Sequence, residues 1–388
     1  MDERNARSLT RKPVLAVVMA IICLTPLFVA SCGNGVKSFS SDTQKKMQAA
    51  AESVMRKTGA PGVVVGVWTP EGTWTFAKGK ADLKTGRAMS VQDEVAIGSN
   101  TKTFVATIIL QLAGEKHLSL DDSLSKYNTK IPNASAITLR ELLNHTSGIY
   151  NYSEDKGFQE TLAADIHKEW TPTEEVSIAA KHSPYFAPGQ GWHYSNTNYT
   201  LLGMIVEKVT GNTLGNEINN RIADKLDLKN TYLTAITVVE GPDNERAHGY
   251  SPDDRGKLMD MTDLNPSCYW AAGAMDSNVS DMGVYIKAVA TGELLTPEVQ
   301  KKRLTWVDTK DKLAYLPLSC GLGIAKIGNF IGHNGGELGY GSAAYYLPGK
   351  DATFFACLTK YPTENGTADQ LVQDVAKILY PQEFKNAK

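Results

Sequence analysis

The sequence predicts an α/β fold: an antiparallel sheet flanked by helices, built from both ends of the chain around an inserted, mostly helical domain. Three observations carry this. Strand-like runs joined by turn residues occur near both ends, at 63–76 and 343–358. An amphipathic helix pattern lies outside each of them. Between about 116 and 274, helical patches alternate with Pro-, Gly- and Asn-rich loops, and strand-like runs are few. The expected boundaries are 42–115 plus 275–388 for the α/β part and 116–274 for the helical part.

Each element has a local cause. Ser41 and Asp42 start a helix with Met47, Ala51, Val54 and Met55 on one face, and Gly59 and Pro61 stop it. Residues 63–68 (VVVGVW) are continuously apolar and β-branched, as a strand buried on both faces is; 69–72 (TPEG) is turn chemistry, and 73–76 return as the second arm of a hairpin. After Ser99, Phe104, Val105, Ile108, Ile109 and Leu112 recur at helical spacing up to Gly114. In the middle, 201–209 is the clearest helical patch. Strands return at 343–347 and 353–358 around a Pro348-Gly349-Lys350-Asp351 turn. A last helix carries Leu371, Val372, Val375, Ile378 and Leu379 and stops before Pro381.

The totals exclude several classes. With 40 Lys+Arg against 42 Asp+Glu over 388 residues, there is no electrostatic case for nucleic acid as a partner. At 42% hydrophobic and 21% charged the chain can bury a large core. Five cysteines are too few for a disulfide scaffold. Residues 1–31 stand apart. Arg4, Arg7, Arg11 and Lys12 against Asp2 and Glu3 give them a net +2, so the remainder carries −4 against −2 for the whole chain. Residues 14–30 are then apolar except for Thr25 and Pro26, the layout of a secretory signal. Val29-Ala30-Ser31-Cys32 resembles the lipobox of bacterial lipoproteins. It implies a 1–31 signal peptide, lipidation at Cys32, a tether over 32–41, and an exported chain that meets the cell-envelope membrane through its lipid alone. Cys268, Cys320 and Cys357 then remain, an odd number that allows one disulfide at most, and buried thiols are the simpler reading.

Ser99-Asn100-Thr101-Lys102 is an S-x-x-K motif at the head of an apolar helix. Positions i and i+3 share a helix face one turn apart, so Lys102 can reach the Ser99 hydroxyl. A serine is a weak nucleophile until a base takes its proton, and lysine serves as that base only when burial and its neighbours lower its pKa by about 3 units. Two other S-x-x-K pairs, Ser123/Lys126 and Ser153/Lys156, sit among acidic residues and read as solvated surface. Tyr194-Ser195-Asn196 is the only Y-x-N: a tyrosine suited to proton shuttling beside an amide that can hold a substrate amide. His333-Asn334-Gly335 is the only H-x-G, where a positive or donating side chain can meet a substrate carboxylate. The Gly336 and Ser99 N–H groups can form an oxyanion hole. The other histidines lack metal-ligand spacing, and Ser342 lacks the G-x-S-x-G elbow.

Together, Ser99-x-x-Lys102, Tyr194-x-Asn196 and His333-x-Gly335, in that order, resemble the serine β-lactamase and D-Ala-D-Ala carboxypeptidase superfamily. The match is to its branch of class C β-lactamases, H-x-G carboxypeptidases and β-lactamase-like esterases. The likeness extends through 142–148, 194–199, 272–274 and 321–323, and covers roughly 42–380. It implies a β-lactamase/transpeptidase-like fold. It also implies Ser99 as acylated nucleophile, Lys102 as its base, Tyr194 as shuttle, and Asn196, His333 and Gly335 as substrate contacts. Ser99 and Gly336 would hold the oxyanion, and Trp270 would wall the cleft or simply pack; no metal or cofactor is implied. In the carboxypeptidases an arginine that reads the terminal carboxylate follows the G-L-G segment. Here Ala325 stands there, and Lys326 would point to the opposite strand face. The expected function is an exported serine hydrolase working through an acyl-enzyme on D-Ala-D-Ala peptides or β-lactams. Alternatives are an esterase of short acyl esters and a penicillin-binding sensor that does not turn over.

Overall fold

The computed structural model describes residues 37–128, 130–234, 246–313, 316–363 and 366–384. The expected signal peptide, Cys32 and the start of the expected tether fall outside the described residues. At Lys37 the chain is already attached, its carbonyl accepting the Thr73 N–H.

One eight-stranded antiparallel sheet organises the molecule. Its strands are β1 (Gly62–Thr69), β2 (Gly72–Gly79), β3 (Val307–Leu313), β4 (Leu316–Cys320), β5 (Ala325–Ile327), β6 (Phe330–Glu337), β7 (Tyr340–Leu347) and β8 (Ala352–Leu358), ordered β2-β1-β8-β7-β6-β5-β4-β3. The N-terminal hairpin therefore joins the C-terminal strands through β1 and β8, with Val65 opposite Ala356. Antiparallel pairing flanked by helices agrees with the sequence expectation. The expected strands lie inside β1, β2, β7 and β8. The strands β3, β4 and β5 carry no apolar alternation long enough to be read, and β6 (FIGHNGGE) is dominated by small and polar residues. The H-x-G segment lies inside β6, ahead of β7 and β8.

Period-two alternation explains why β1 and β8 are apolar throughout. Val63, Val65 and Val67 join Phe354, Ala356 and Leu358 in a core under α1 (Ser41–Thr58) and α5 (Ala368–Leu379), with Met47, Val54, Leu371 and Val375. Val64, Phe355 and Cys357 face the other way, into the larger core with α2 (Thr101–Gly114), α3 (Asn196–Thr210) and α4 (Val279–Thr291). Both outer helices are punctuated as their sequences suggest. Ser40 caps α1 through the Thr43 N–H and Gly59 ends it at φ 66°; Thr367 caps α5 through the Gln370 N–H. Cys268, Cys320 and Cys357 are free and buried, and burial pushes the Cys320 thiol up to about 12.

Leu371 is fully buried between α5 and the sheet. Leu371→Ala should lower stability by about 3 kcal/mol, read as a fall in the guanidinium unfolding midpoint. A loss below about 0.5 kcal/mol would show that the outer helical layer does not share the core assigned to it.

Candidate active site

The site forms where the head of α2 meets β6. A tight turn, Gly98–Asn100, leads into α2 and holds Ser99 half-buried at its exit. The turn needs no conventional cap. Asn100, fully buried, donates to the Ile97 carbonyl (3.2 Å) and to Ser342 Oγ (3.0 Å), while Ser342 donates to the same carbonyl (2.8 Å). The Thr101 hydroxyl donates to the Gly98 carbonyl (2.7 Å) and that of Thr103 to the Asn100 carbonyl (2.7 Å). Behind them Arg303, fully buried, donates to the Thr103 carbonyl (3.1 Å) and Thr107 Oγ1 (2.6 Å), and burial lowers it to about 10.

Glycine permits the close approach of this turn to β6. Gly98 has φ +51°, and a Cβ there would lie 2.9 Å from the Gly336 nitrogen. A Cβ on Gly335 would lie 2.0 Å from the Ile97 oxygen, so Gly335 serves by having no side chain. Strand β5 pairs with β6 only from Phe330 to Gly332. From His333 onward the β5 side of β6 has no strand partner among the described residues, an edge that an extended substrate can follow.

Ser99, Lys102 and Tyr194 are brought together. Lys102 is fully buried one turn behind the serine, its Nζ 3.0 Å from Ser99 Oγ and donating to the Ala272 carbonyl at 2.6 Å. The Tyr194 hydroxyl donates to Ser99 Oγ at 2.8 Å, and the lysine nitrogen stands 4.8 Å from the Tyr194 ring centre and 5.5 Å from that of Tyr199. Burial holds the Lys102 pKa well below the ordinary lysine value. The same burial raises Tyr194, so the phenol keeps its proton. A neutral amine then offers its lone pair to the serine proton while an N–H stays on Ala272.

His145 supports this pair. It sits at φ +64°, its Nδ1 accepts the Ser195 N–H (3.2 Å), and its ring lies 4.4 Å from Tyr194 and 5.3 Å from Tyr199. Burial and the nearby Lys102 keep it neutral. Asn196 opens α3, its N–H bonded to Asn151 Oδ1 (3.0 Å) and its Nδ2 to Ser153 Oγ (3.0 Å). Asn151 also donates to Glu154 (3.1 Å), whose other oxygen accepts from the Tyr185 hydroxyl (2.7 Å) and stands 3.9 Å from His193 Nε2. The Glu154 side chain is 45% exposed, so a braced carboxylate, joined to Asn196 through Asn151, faces solvent. Ser153 is thus part of this network and not plain surface; the lysines of both decoy motifs are spent elsewhere, Lys126 on Asp122 and Lys156 on Glu160.

One open alternative is decided and one expectation changes. The Trp270 ring is buried against Gly203 of α3, where a Cβ would come within 2.9 Å of it; it packs in the core and does not wall a cleft. His333 is brought to the site, its ring 6.4 Å from that of Tyr194, but not as a positive or donating group. Burial lowers it to about 4, and its Nδ1–H donates to the Asn334 carbonyl (2.5 Å), which leaves Nε2 as an acceptor. Ala325 is buried, and Lys326 lies 5.9 Å from the Trp306 ring. Gly98, Asn100, Ser342, Asn151 and Glu154 were not singled out from sequence as site residues. The Gly98 position, just before an S-x-x-K, is the one that carried a local signal.

Comparison with known proteins places the fold. The profile of the family described as Beta-lactamase matches residues 47–377. A D-stereospecific amidohydrolase from Streptomyces sp. is 31% identical in sequence, with a TM-score of 0.76 over 87% of this chain and 98% of that one. The D-amino acid amidase of Ochrobactrum anthropi SV3, 24% identical, shares the fold at a TM-score of 0.77 over 89% and 99% of the two chains. Among curated relatives, a D-aminopeptidase of Brucella anthropi is 29% identical over 50% of this chain and 37% of its own length. The teichoic acid D-alanine hydrolase of Staphylococcus aureus is 25% identical over 60% and 55%. The matched region thus spans about a third to just over half of these curated relatives.

Gly335→Ala tests the glycine contact. The added methyl must push β6 off the Ile97 turn, and a misplacement of about 1 Å costs on the order of 100-fold in reaction rate. Phosphonylation of Ser99 by a fluorophosphonate, with loss of fluoride and followed by intact-protein mass, should slow by about that factor while the protein still unfolds cooperatively. An unchanged rate would show that the contact does not place the serine.

Proposed function

The chain belongs to the β-lactamase family and is a serine hydrolase, and from that premise we propose that it forms an acyl-enzyme with D-amino acids bearing a free amine, released from their amides, peptides or esters. The observation that carries the chemistry is the buried Lys102 nitrogen 3.0 Å from Ser99 Oγ. Ser99 attacks the acyl carbon as its proton passes to Lys102 Nζ, and the Ser99 and Gly336 N–H groups receive the oxyanion. Tyr194 gives its proton to the leaving nitrogen or oxygen and regains one from the Lys102 ammonium. Water then reverses the sequence to free the acid. The acyl-side choice is supported by Glu154, a carboxylate linked to Asn196 through Asn151 and suited to an ammonium group. It is also supported by Ala325, which leaves no arginine for a terminal carboxylate, so the carboxypeptidase reading stands behind this one. The names of the relatives, D-aminopeptidase, D-amino acid amidase and D-alanine hydrolase, point the same way.

The test compares D-alanine amide, its L-enantiomer and N-acetyl-D-alanine amide with wild type, Ser99→Ala and Glu154→Gln. D-Alanine amide should turn over, Ser99→Ala should abolish this, and Glu154→Gln should raise KM roughly 10-fold, the weight of one charged hydrogen bond. Equal turnover of the N-acetylated amide, or activity surviving in Ser99→Ala, overturns the reading.

We also propose export and lipid anchoring at Cys32, supported by the basic run, the apolar run and the V-A-S-C segment. Cells fed labelled palmitate should label the wild type and not Cys32→Ser; label retained in that variant, or absent from both, counts against the anchor.

A further inference from the structure

Alternation along β6 sorts its residues between two faces. His333 and Gly335 look toward Tyr194 and the Ile97 turn. Asn334 and Gly336 look toward the outer layer, where the Asn334 Nδ2 donates to Asp369 Oδ2 of α5 at 3.1 Å. Gly336, to which the reading above gives one of the two oxyanion donors, has no side chain to anchor it in that layer. Its partner across the ladder, Gly341 of β7, has none either. On the β5 side, no strand flanks Gly336 among the described residues.

Tyr361, which follows β8, covers this bare stretch. A Cβ on Gly336 would lie 2.5 Å from the Tyr361 Cζ, 2.7 Å from Cε2 and 2.8 Å from the hydroxyl oxygen, and one on Gly341 would lie 3.4 Å from Cδ2. The ring therefore lies across both glycines, with its phenol end on β6. Gly336 does not have a left-handed φ, so its backbone alone would accept other residues; the ring is what excludes a side chain there. The Tyr361 backbone is pinned as well. Its N–H donates to the Tyr250 carbonyl (3.2 Å), and its carbonyl accepts the Gly339 N–H (3.3 Å) and the Ser251 hydroxyl (2.5 Å). Gly339 belongs to the β6–β7 turn, so the ring is tied to the hairpin it covers. From the serine side, a Cβ on Gly98 would come within 2.9 Å of the Gly336 nitrogen. Gly336 is thus held between the nucleophile turn and an aromatic plate.

We propose that Tyr361 is a positioning residue of the oxyanion hole: its ring, and not its hydroxyl, is the backstop that fixes the Gly336 N–H against the Ser99 turn. The inference rests on the acyl-enzyme reading above, which gives Gly336 its role. Tyr361 meets no reacting atom and acts through Gly336 alone. A donor aimed at developing charge works because it is already in place, and removing one costs on the order of 100- to 1,000-fold in kcat. A donor that is present but loosened costs less.

The experiment measures kcat and KM for D-alanine amide in wild type, Tyr361→Phe, Tyr361→Ala and Gly336→Ala. The kcat is expressed per site titrated with a fluorophosphonate, so loss of folded protein does not move it. Tyr361→Ala should lower kcat about 10- to 100-fold and leave KM within about 2-fold, because the loosened donor acts on the transition state and not on bound substrate. Tyr361→Phe keeps the ring and should stay within about 2-fold of wild type in both constants. Gly336→Ala keeps the N–H but drives a methyl into the ring, and its kcat should fall by about 10-fold or more. In the double variant the methyl enters the space the ring has left, so kcat should exceed the product of the two single losses. An unchanged kcat in Tyr361→Ala, an equal loss in Tyr361→Phe or an unchanged kcat in Gly336→Ala overturns the inference. The last two outcomes need no folded Tyr361→Ala protein: a Tyr361→Phe loss of 10-fold or more, on the order predicted for a loosened donor, already assigns the work to the hydroxyl. Wild type that neither turns over D-alanine amide nor is labelled at Ser99 would sink the acyl-enzyme reading instead, so the two failures are distinguishable.

Discussion

The burial of Lys102 is the constraint on which the site depends. With no carboxylate partner among the described residues, and bonded to the Ala272 carbonyl and Ser99, this fully enclosed lysine is held neutral because its charged form has lost water. What surrounds it must then be apolar or aromatic. Tyr194 and Tyr199 lie over it, His145 is neutral behind them, and Arg303 is turned onto the Thr103 carbonyl on the same helix. Desolvation is unfavourable for folding and useful for chemistry, and the large core around α2 and α3 supplies the stability that keeps the amine dry.

The second constraint is backbone proximity. The nucleophile turn and β6 approach until a methyl group at Gly98 or Gly335 would clash. Asn100 and Ser342 tie the turn to β7, the neighbour of β6, through the Ile97 carbonyl, so the Ser99 and Gly336 N–H groups are set by the sheet and not by a flexible loop. The same strand continues into residues that face away from the serine, which is how Asn334 and Asp369 come to lie behind the substrate edge.

Much of this was legible in the sequence. The S-x-x-K, Y-x-N and H-x-G motifs pick out Ser99, Lys102, Tyr194 and His333, and the structure gathers all four. Local pattern found α1, α2, β1, β2, β7, β8 and α5, because periodicity and turn residues there agree. It missed β3 to β6, whose short, polar or glycine-rich runs become strands by pairing with neighbours. Trp270 was open between cleft wall and packing, and it packs in the core; Gly335, read as a substrate contact, serves as a space left empty.

The sequence by itself determined the nucleophile, the spacing that puts a lysine one turn behind it, and the family of folds able to hold both, since these rest on residue type and local geometry. Only the tertiary structure decided protonation and polarity. The desolvated Lys102 and the buried Asp369 take their character from partners far away in the chain, Ala272 at 170 residues from Lys102 and Asn334 at 35 from Asp369, and His333 takes its own from the core that encloses it. A side chain's charge is set by the water it loses and the groups it meets, and neither is written at its own position in the sequence.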